Sequence, residues 1–291
     1  MEAPEITVYL PTRNRANLLR EAAQSVLNQT FSDFELIIVD DASEDETPAV
    51  IHEIMAADRR VRFIRFSAQS GACAARNSAI DAAKGKWCTG IDDDDLMLPT
   101  RISSLRLLTS RGDKFSVFCS GFFLERRGRR LRRHCKEAII TLDDLLHRNL
   151  VGNQGLFRRR DALAIDGFDV DLPASQDYDF WTRLVDRFGP ALRTQEPTYV
   201  FRESERPMGR ITTSGAALYG AMRYTEKHKG RMTAAHLKSQ RLLHHYVAGK
   251  PLTLALAVSC ADIKNIGFTL RYAAQRFPLL SRLRDKLPRA G

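Results

Sequence analysis

Three short apolar runs near the start of the chain, each followed by a helix-like segment, constrain the fold more than any other feature. Ile6 to Leu10, Phe34 to Val39 and Val61 to Phe66 have the length and residue types of β-strands. The second run, Phe34-Glu35-Leu36-Ile37-Ile38-Val39, is almost continuously apolar, as a strand covered on both faces must be. Pro11 is expected to end the first strand and Asn14 to cap the helix after it, where Leu18, Leu19, Ala22, Val26 and Leu27 recur at helical spacing. Ser43 to Pro48 opens a second helix with acids in its first turn, and Ala72 to Ala83 makes a third. Strands alternating with helices predict a parallel sheet with right-handed crossovers, an α/β fold.

Carboxylates gather at the strand ends. The second strand stops at Asp40-Asp41, and Gly85 to Gly90, a further strand edge, runs into Ile91-Asp92-Asp93-Asp94-Asp95. Four adjacent anions are unfavourable unless a hard divalent cation or a cluster of arginines and lysines neutralises them. The C-terminal edge of an open α/β sheet is its ligand edge, so a metal-held phosphate ester suits this run; taken alone, a solvated acidic turn suits it as well. Neither strand is followed by Gly-x-Gly-x-x-Gly or Gly-x-x-x-x-Gly-Lys-Ser/Thr, which argues against a dinucleotide site and a P-loop. Beyond Pro99 the pattern loosens. Phe115 to Phe123 reads as a strand, Glu125 to Arg133 as a basic hairpin, and Leu142 to His147 and Trp181 to Phe188 as helices. From Ala216 onward the pattern is helical.

Six motifs then fall in one order and spacing. They are Leu10-Pro11-Thr12-Arg13-Asn14-Arg15, Val39-Asp40-Asp41-Ala42-Ser43, Gly71-Ala72-Cys73-Ala74-Ala75-Arg76-Asn77, Ile91 to Pro99, Ile165-Asp166-Gly167-Phe168-Asp169, and Gln176 to Leu184. On these motifs the chain resembles the family-2 glycosyltransferases of GT-A fold over about residues 5–202. The resemblance implies a single, mostly parallel central sheet flanked by helices. Residues 1–100 would be its nucleotide-sugar half, 101–213 its acceptor half, and 214–291 a basic helical extension.

It also implies a reaction: metal-dependent, inverting transfer of one sugar from a UDP-sugar to a glycan or lipid-linked saccharide of a bacterial envelope, such as lipopolysaccharide, O-antigen or capsule. Pro11, Thr12 and Arg13 would form the loop beneath the nucleotide, and Asp41 would accept the uracil N3–H. Arg76 would lie near the donor, partnering the aspartates or the diphosphate, against the alternative of a structural ion pair. Asp92-Asp93-Asp94 supplies an Asp-x-Asp pattern, in which Asp94 would bind Mn2+ or Mg2+ and Asp92 would contact the ribose or the metal shell. A run of four leaves Asp93 and Asp95 open to a one-residue slip; the spacing to Pro99 favours Asp92 and Asp94. Asp177 would be the general base, with Asp179 its competitor, and Gln176 departs from the usual Glu. Gly167, Phe168 and Trp181 would face the acceptor, although Trp181 stands at core spacing with Leu184 and Val185, which favours burial. Processive relatives carry Gln-x-x-Arg-Trp and transmembrane helices, and neither is found in the sequence.

Charge divides the chain. Residues 214–291 hold 14 of the 45 basic and 3 of the 35 acidic residues, a balance of +11; residues 1–213 hold 31 and 32, a balance of −1. Arg271, Arg276, Arg282, Arg284, Lys286 and Arg289 interleave with Tyr272, Phe277, Leu279, Leu280, Leu283 and Leu287, an amphipathic pattern suited to an anionic membrane surface. The arginines of 126–133 could join that surface or grip a phosphorylated acceptor. Nucleic acid is not an expected partner, since the α/β half is neutral and its ligand edge carries carboxylates. A sugar-phosphate nucleotidyltransferase would need a Gly-rich loop where Pro11 to Arg15 has none. The most apolar run, Leu252 to Ala261, is too short to cross a bilayer, and the N-terminus does not read as a secretion signal. Five scattered cysteines suggest free thiols, and the seven histidines show no ligand spacing. The expected location is the cytoplasm, on the inner face of the cytoplasmic membrane.

Overall fold

The computed structural model describes residues 3–133, 136–202 and 214–274. Its first half is the expected alternation: β1 (Ile6–Thr12), α1 (Ala16–Leu27), β2 (Phe34–Asp40), α2 (Thr47–Ala57), β3 (Val61–Arg65), α3 (Ala72–Ala82) and β4 (Trp87–Gly90). These four strands are parallel, in the order β3-β2-β1-β4. Alternate residues of β1 serve the two faces. Ile6, Val8 and Leu10 pack with Leu19, Val26, Val50 and Ile51 of α1 and α2, while Tyr9 packs with Cys73, Ala79 and Ile80 of α3 on the opposite side. Both faces are covered, which is why the strands read as apolar runs.

The second half adds β5 (Leu96–Met97), α4 (Arg101–Leu108), β6 (Val117–Arg126), β7 (Arg129–Arg133), β8 (Ala138–Ile140), α5 (Leu142–His147), β9 (Leu156–Arg158), α6 (Arg159–Leu163), α7 (Gln176–Phe188) and β10 (Ala191–Arg202). The sheet continues β4-β9-β6-β10-β5, with β7 paired to β6 and β8 to β10. Here antiparallel strands join the mostly parallel sheet. The short β9 enters antiparallel between β4 and β6, and β7 returns along β6 as a hairpin. Two antiparallel steps restore the direction, so β6 runs parallel to β4 and its C-terminal end reaches the same edge as the aspartate run.

Two local expectations need correcting. Pro11 does not end β1, which continues through Thr12. The Ile91 N–H bonds to the Tyr9 carbonyl, and the next bond on that side would need an N–H that Pro11 lacks. The ladder to β4 therefore stops and residues 92–95 turn away. Asn14 is not the helix cap either. It sits at φ 52°, before Arg15 at the cap position, and its Oδ1 accepts the Glu44 N–H, tying the loop after β1 to the loop after β2.

Helices α8 (Ser214–His228), α9 (Ala234–Val247), α10 (Leu254–Cys260) and α11 (Ile266–Ala274) form the C-terminal extension. Tyr224 of α8 stacks on Tyr178 of α7, ring centroids 3.8 Å apart. Gln240 of α9 donates to the Leu146 carbonyl of α5. Leu242, Leu252, Leu256, Cys260 and Tyr272 make a small core of their own. The expected amphipathic end from Arg276 to Arg289, and Cys135, lie outside the described residues. Cys73, Cys88, Cys119 and Cys260 are buried free thiols. Among the described residues no helix is long and apolar enough to cross a membrane.

Candidate active site

The aspartate run leaves β4 at the ligand edge, and its side chains alternate. Asp92 and Asp94 keep side-chain exposures of 24% and 34%, whereas Asp93 keeps 7%, and Asp95 is buried. Each is held by different partners. Arg76 of α3 bonds Asp92 Oδ1 at 2.9 Å, and Gln154 Nε2 donates to the same oxygen at 3.1 Å. Arg15 bridges Asp93 at 2.8 Å and Asp94 at 2.9 Å, and the Thr12 hydroxyl donates to Asp93 at 2.8 Å. Asp95 accepts from the Tyr199 hydroxyl and the Arg202 N–H of β10, so it locks the run to the far half of the sheet. Gly90 makes the approach possible: a Cβ there would stand 2.0 Å from the Tyr9 ring and 2.4 Å from Gln154 Oε1.

Charge within the run is not fully balanced. Burial raises the Asp93 acid to about 6, with Arg15 opposing and Asp94 reinforcing. Asp94 is also raised, by burial and by Asp92, although Arg15 pulls it down. Two solvent-facing carboxylates that repel each other offer the hard oxygen donors that a divalent cation such as Mn2+ or Mg2+ prefers, so these residues fit such an ion. Arg13, on the loop after β1, has a buried Nε with no hydrogen-bond partner among the described residues, a donor available to an anionic ligand. Asp41 is buried and already accepts two backbone donors, Ser70 N–H at 2.6 Å and Gly71 N–H at 2.9 Å. It braces the turn into α3 and keeps lone pairs for one further donor.

Asp177 and Asp179 both lie in the first turn of α7, yet their surroundings differ completely. Asp177 is half-buried and accepts from Asn149 Nδ2 at 2.9 Å. Burial is the main influence that pushes its acid up to about 6; the Tyr178 N–H and Arg76 pull it down, and Asp92 pushes it up. The coupling to Arg76 and Asp92 puts Asp177 within the electrostatic reach of the aspartate run. Asp179 points the other way and is fully buried. Burial raises its acid, but His228, Arg183 and Lys227, at 2.9, 2.8 and 2.9 Å, outweigh that and hold it at about 2. It fastens α8 to α7 and is not exposed to any acceptor.

The expected acceptor contacts are corrected, and for Trp181 the structure shows the burial that its core spacing favours. Trp181 is fully buried and its indole N–H donates to the Gly152 carbonyl at 2.8 Å. Phe168 is buried too, stacked on Phe180 at 4.0 Å. Neither ring has a face left for a sugar. Gly167 is buried at φ +65°, and a Cβ on it would stand 2.4 Å from Asn77 Oδ1, the atom that accepts the Phe168 N–H. These three residues set the wall behind Asp177.

Arg15, Gln154, Asn149 and Tyr199 carry the site's hydrogen bonds without being picked out by sequence. Arg15 lies inside the Leu10 to Arg15 motif; the others are single polar residues in segments without periodicity. Arg101 is another, fully buried and bonded to Ser120, Thr198 and the Gln154 carbonyl, which positions the loop that carries Gln154. Histidines also meet by folding alone. Ligand atoms of Asp143, His147 and His236 lie within 4.8 Å of one another. There His236 Nδ1 accepts the Thr233 N–H, which leaves the Nε2 proton for Asp143. The group is a hydrogen-bonded pin between α5 and α9.

Comparison with known proteins gives a consistent result. The profile of glycosyl transferase family 2 matches residues 7–164. A protein of Escherichia coli described as a colanic acid biosynthesis glycosyl transferase, WcaA, is 31% identical over 280 residues, covering 90% of this chain and 95% of its own. Among solved structures, Staphylococcus aureus TarS 1-349 in complex with UDP-GlcNAc matches with a TM-score of 0.67 at 15% identity, over 96% of this chain and 83% of that one. The mannosyltransferase PcManGT of Pyrobaculum calidifontis, in complex with GDP-Man and Mn2+, matches with a TM-score of 0.66 at 16% identity, over 98% and 84%. At those identities the two structures establish the GT-A fold alone.

Proposed function

The chain belongs to glycosyl transferase family 2, and on that premise we propose that it moves one sugar per encounter from a UDP-sugar to a glycan or lipid-linked saccharide acceptor of a bacterial envelope, with inversion. One observation carries this reading. Two solvent-facing carboxylates stand at a strand end, Asp92 and Asp94, and Asp92 lies within electrostatic reach of a third, Asp177, whose acid is poised near 6. The first pair suits a metal-held diphosphate, and the third suits a base for a hydroxyl.

Asp94, with Asp92, would hold Mn2+ or Mg2+, which when bound neutralises charge on the nucleoside diphosphate. Thr12 and Arg15 keep the neighbouring Asp93 turned inward, so the two outward carboxylates are presented together. Arg13 and Arg76 supply positive charge where the diphosphate would lie. Asp41 would accept the uracil N3–H beside its two backbone donors; a guanine donor would test that preference. Asp177 Oδ1 would take the acceptor hydroxyl proton while Asn149 holds Oδ2. A single displacement with the base opposite the leaving group inverts the anomeric centre.

Attachment to the inner face of the cytoplasmic membrane is part of the proposal. It is supported by large apolar side chains exposed on the extension, Leu254 at 82%, Val258 at 70% and Ile263 at 88%, next to a strongly basic C-terminal sequence. Sedimentation with phosphatidylglycerol vesicles, and not with phosphatidylcholine vesicles, is the expected result.

The deciding experiment is UDP release from a panel of UDP-sugars, with and without Mn2+, by the unaltered protein and by Asp94→Ala. Metal-dependent release from one sugar, lost in the variant, supports the reading. Absence of release, together with absence of metal-dependent UDP binding by calorimetry, sinks the donor assignment; binding of GDP instead moves it to a guanine nucleotide.

A further inference from the structure

The β6–β7 hairpin carries Arg126, Arg127, Arg129, Arg130 and Arg132 within seven residues, all exposed. Its position matters as much as its charge. β6 reaches the ligand edge, and its residue Glu125 lies 3.4 Å from the guanidinium of Arg202. The Arg202 backbone N–H in turn bonds Asp95 at 2.9 Å. The arginine-rich turn therefore begins one residue beyond a pair that touches the aspartate run, and its tip extends about 7 Å further at strand spacing. It rises from the half of the sheet that β9 joins, and the connection leading into β9 holds Asn149, the partner of Asp177.

The local chemistry of the hairpin sacrifices ease of folding for charge. Arg126 and Arg129 are directly opposite in the ladder, a like-charged cross-strand pair. Arg127 takes φ 50° in the two-residue turn, before Gly128 at φ 68°. Asn or Asp would adopt that left-handed position with less strain. Glu125 is the one acid in the segment from 125 to 132 and is bonded to Arg130 at 2.7 Å, while Arg132 lies 3.9 Å from Glu196 of β10. A segment that breaks pairing and turn preferences together, beside a reaction site, is better explained by a ligand than by stability.

We propose that this hairpin recognises an anionic group on the acceptor, a carboxylate of an acidic saccharide or the diphosphate of a lipid-linked one. Guanidinium groups on a two-stranded scaffold offer paired donors to either oxyanion. The proposal rests on the glycosyltransferase reading. Donor hydrolysis by the unaltered protein tests that reading separately, so the two can fail independently.

The test is calorimetry on the full chain with the donor site saturated by UDP and Mn2+, so that a diphosphate probe cannot enter there. Three probes are compared: trigalacturonate, farnesyl diphosphate and the uncharged maltotriose. The variant Arg126→Ser/Arg127→Asn/Arg129→Ser alters exposed residues, and its fold is checked by circular dichroism and melting. The unaltered protein is expected to bind one anionic probe and not maltotriose, with affinity falling as salt rises. In the variant that affinity should fall about tenfold or more. Which anionic probe binds separates the carboxylate from the diphosphate. The proposal is overturned if neither anionic probe binds, or if the variant binds as well as the parent. It is equally overturned if the only loss is sedimentation with phosphatidylglycerol vesicles, because the hairpin then contacts a membrane.

Discussion

The strand-end aspartates and the α7 aspartates handle the same chemical group in opposite ways. At the strand end, carboxylates are crowded together and arginines answer them: Arg76 on Asp92, Arg15 on Asp93 and Asp94. On α7, Asp177 has no ion pair among the described residues and is raised by burial, while two residues on Asp179 is held by Arg183, Lys227 and His228 and lowered. Position on a helix therefore says little about an aspartate's task; what faces it from other elements decides. Part of the charge on the basic extension faces inward, since Lys227 of α8 pairs with Asp179, which the neighbouring His228 also hydrogen-bonds. The extension thereby orients the helix that carries Asp177.

That contrast can be broken experimentally. The largest effect is expected for Asp177→Asn. Sugar transfer should fall by about 10²–10⁴ with UDP affinity little changed. A similar loss in Asp179→Asn, with the fold intact, would reverse the assignment of the two. Next comes Asp94→Ala, which should cost on the order of 100-fold in metal-supported donor hydrolysis and weaken Mn2+-dependent UDP binding in titration. An Asp93→Ala variant that loses as much would indicate the one-residue slip.

Asp179→Ala should act on stability instead. Removing it strands the buried end of an ion cluster, and denaturant melts should show a loss of about 2 kcal/mol, moderated because Lys227 and Arg183 are partly exposed. The two aspartates also have opposite pH linkage. Asp179, held at about 2, contributes stability that is present above the ordinary carboxylate value and lost as pH falls toward 2. Asp177, raised to about 6, favours the folded state when protonated, and that contribution fades as pH rises through about 6.

Smaller effects sharpen the picture. Gly167→Ala combines a left-handed φ with a clash against Asn77 and should cost about 1–2 kcal/mol, visible as a lower melting temperature. The proposed role of Asp177 as base requires its ionised form, so the rate should rise with pH through a limb near 6. Asn149→Leu removes a donor that favours the carboxylate and should move that limb upward. An unmoved limb would assign it to another group.

The parallel strands and their helices were legible because burial on both faces imposes apolar runs, and the runs follow directly in sequence. The second half was less so: β9 has three residues and joins the sheet between strands far from it in the chain, so its membership leaves no periodic trace. The aspartate run was readable because like charges in a row demand an answer, but not which arginine answers. Arg15 stands 78 residues from Asp93.

By itself, then, the sequence determined the strand–helix alternation, the family, and the residue types at the ligand edge, since these follow from local pattern and composition. Tertiary structure alone decided which aspartates face outward, that Phe168 is wall and not platform, and that Asp177 is raised while Asp179 is lowered. Those properties depend on burial and on charges brought together from distant segments, and a carboxylate's neighbours in space are not its neighbours in the chain.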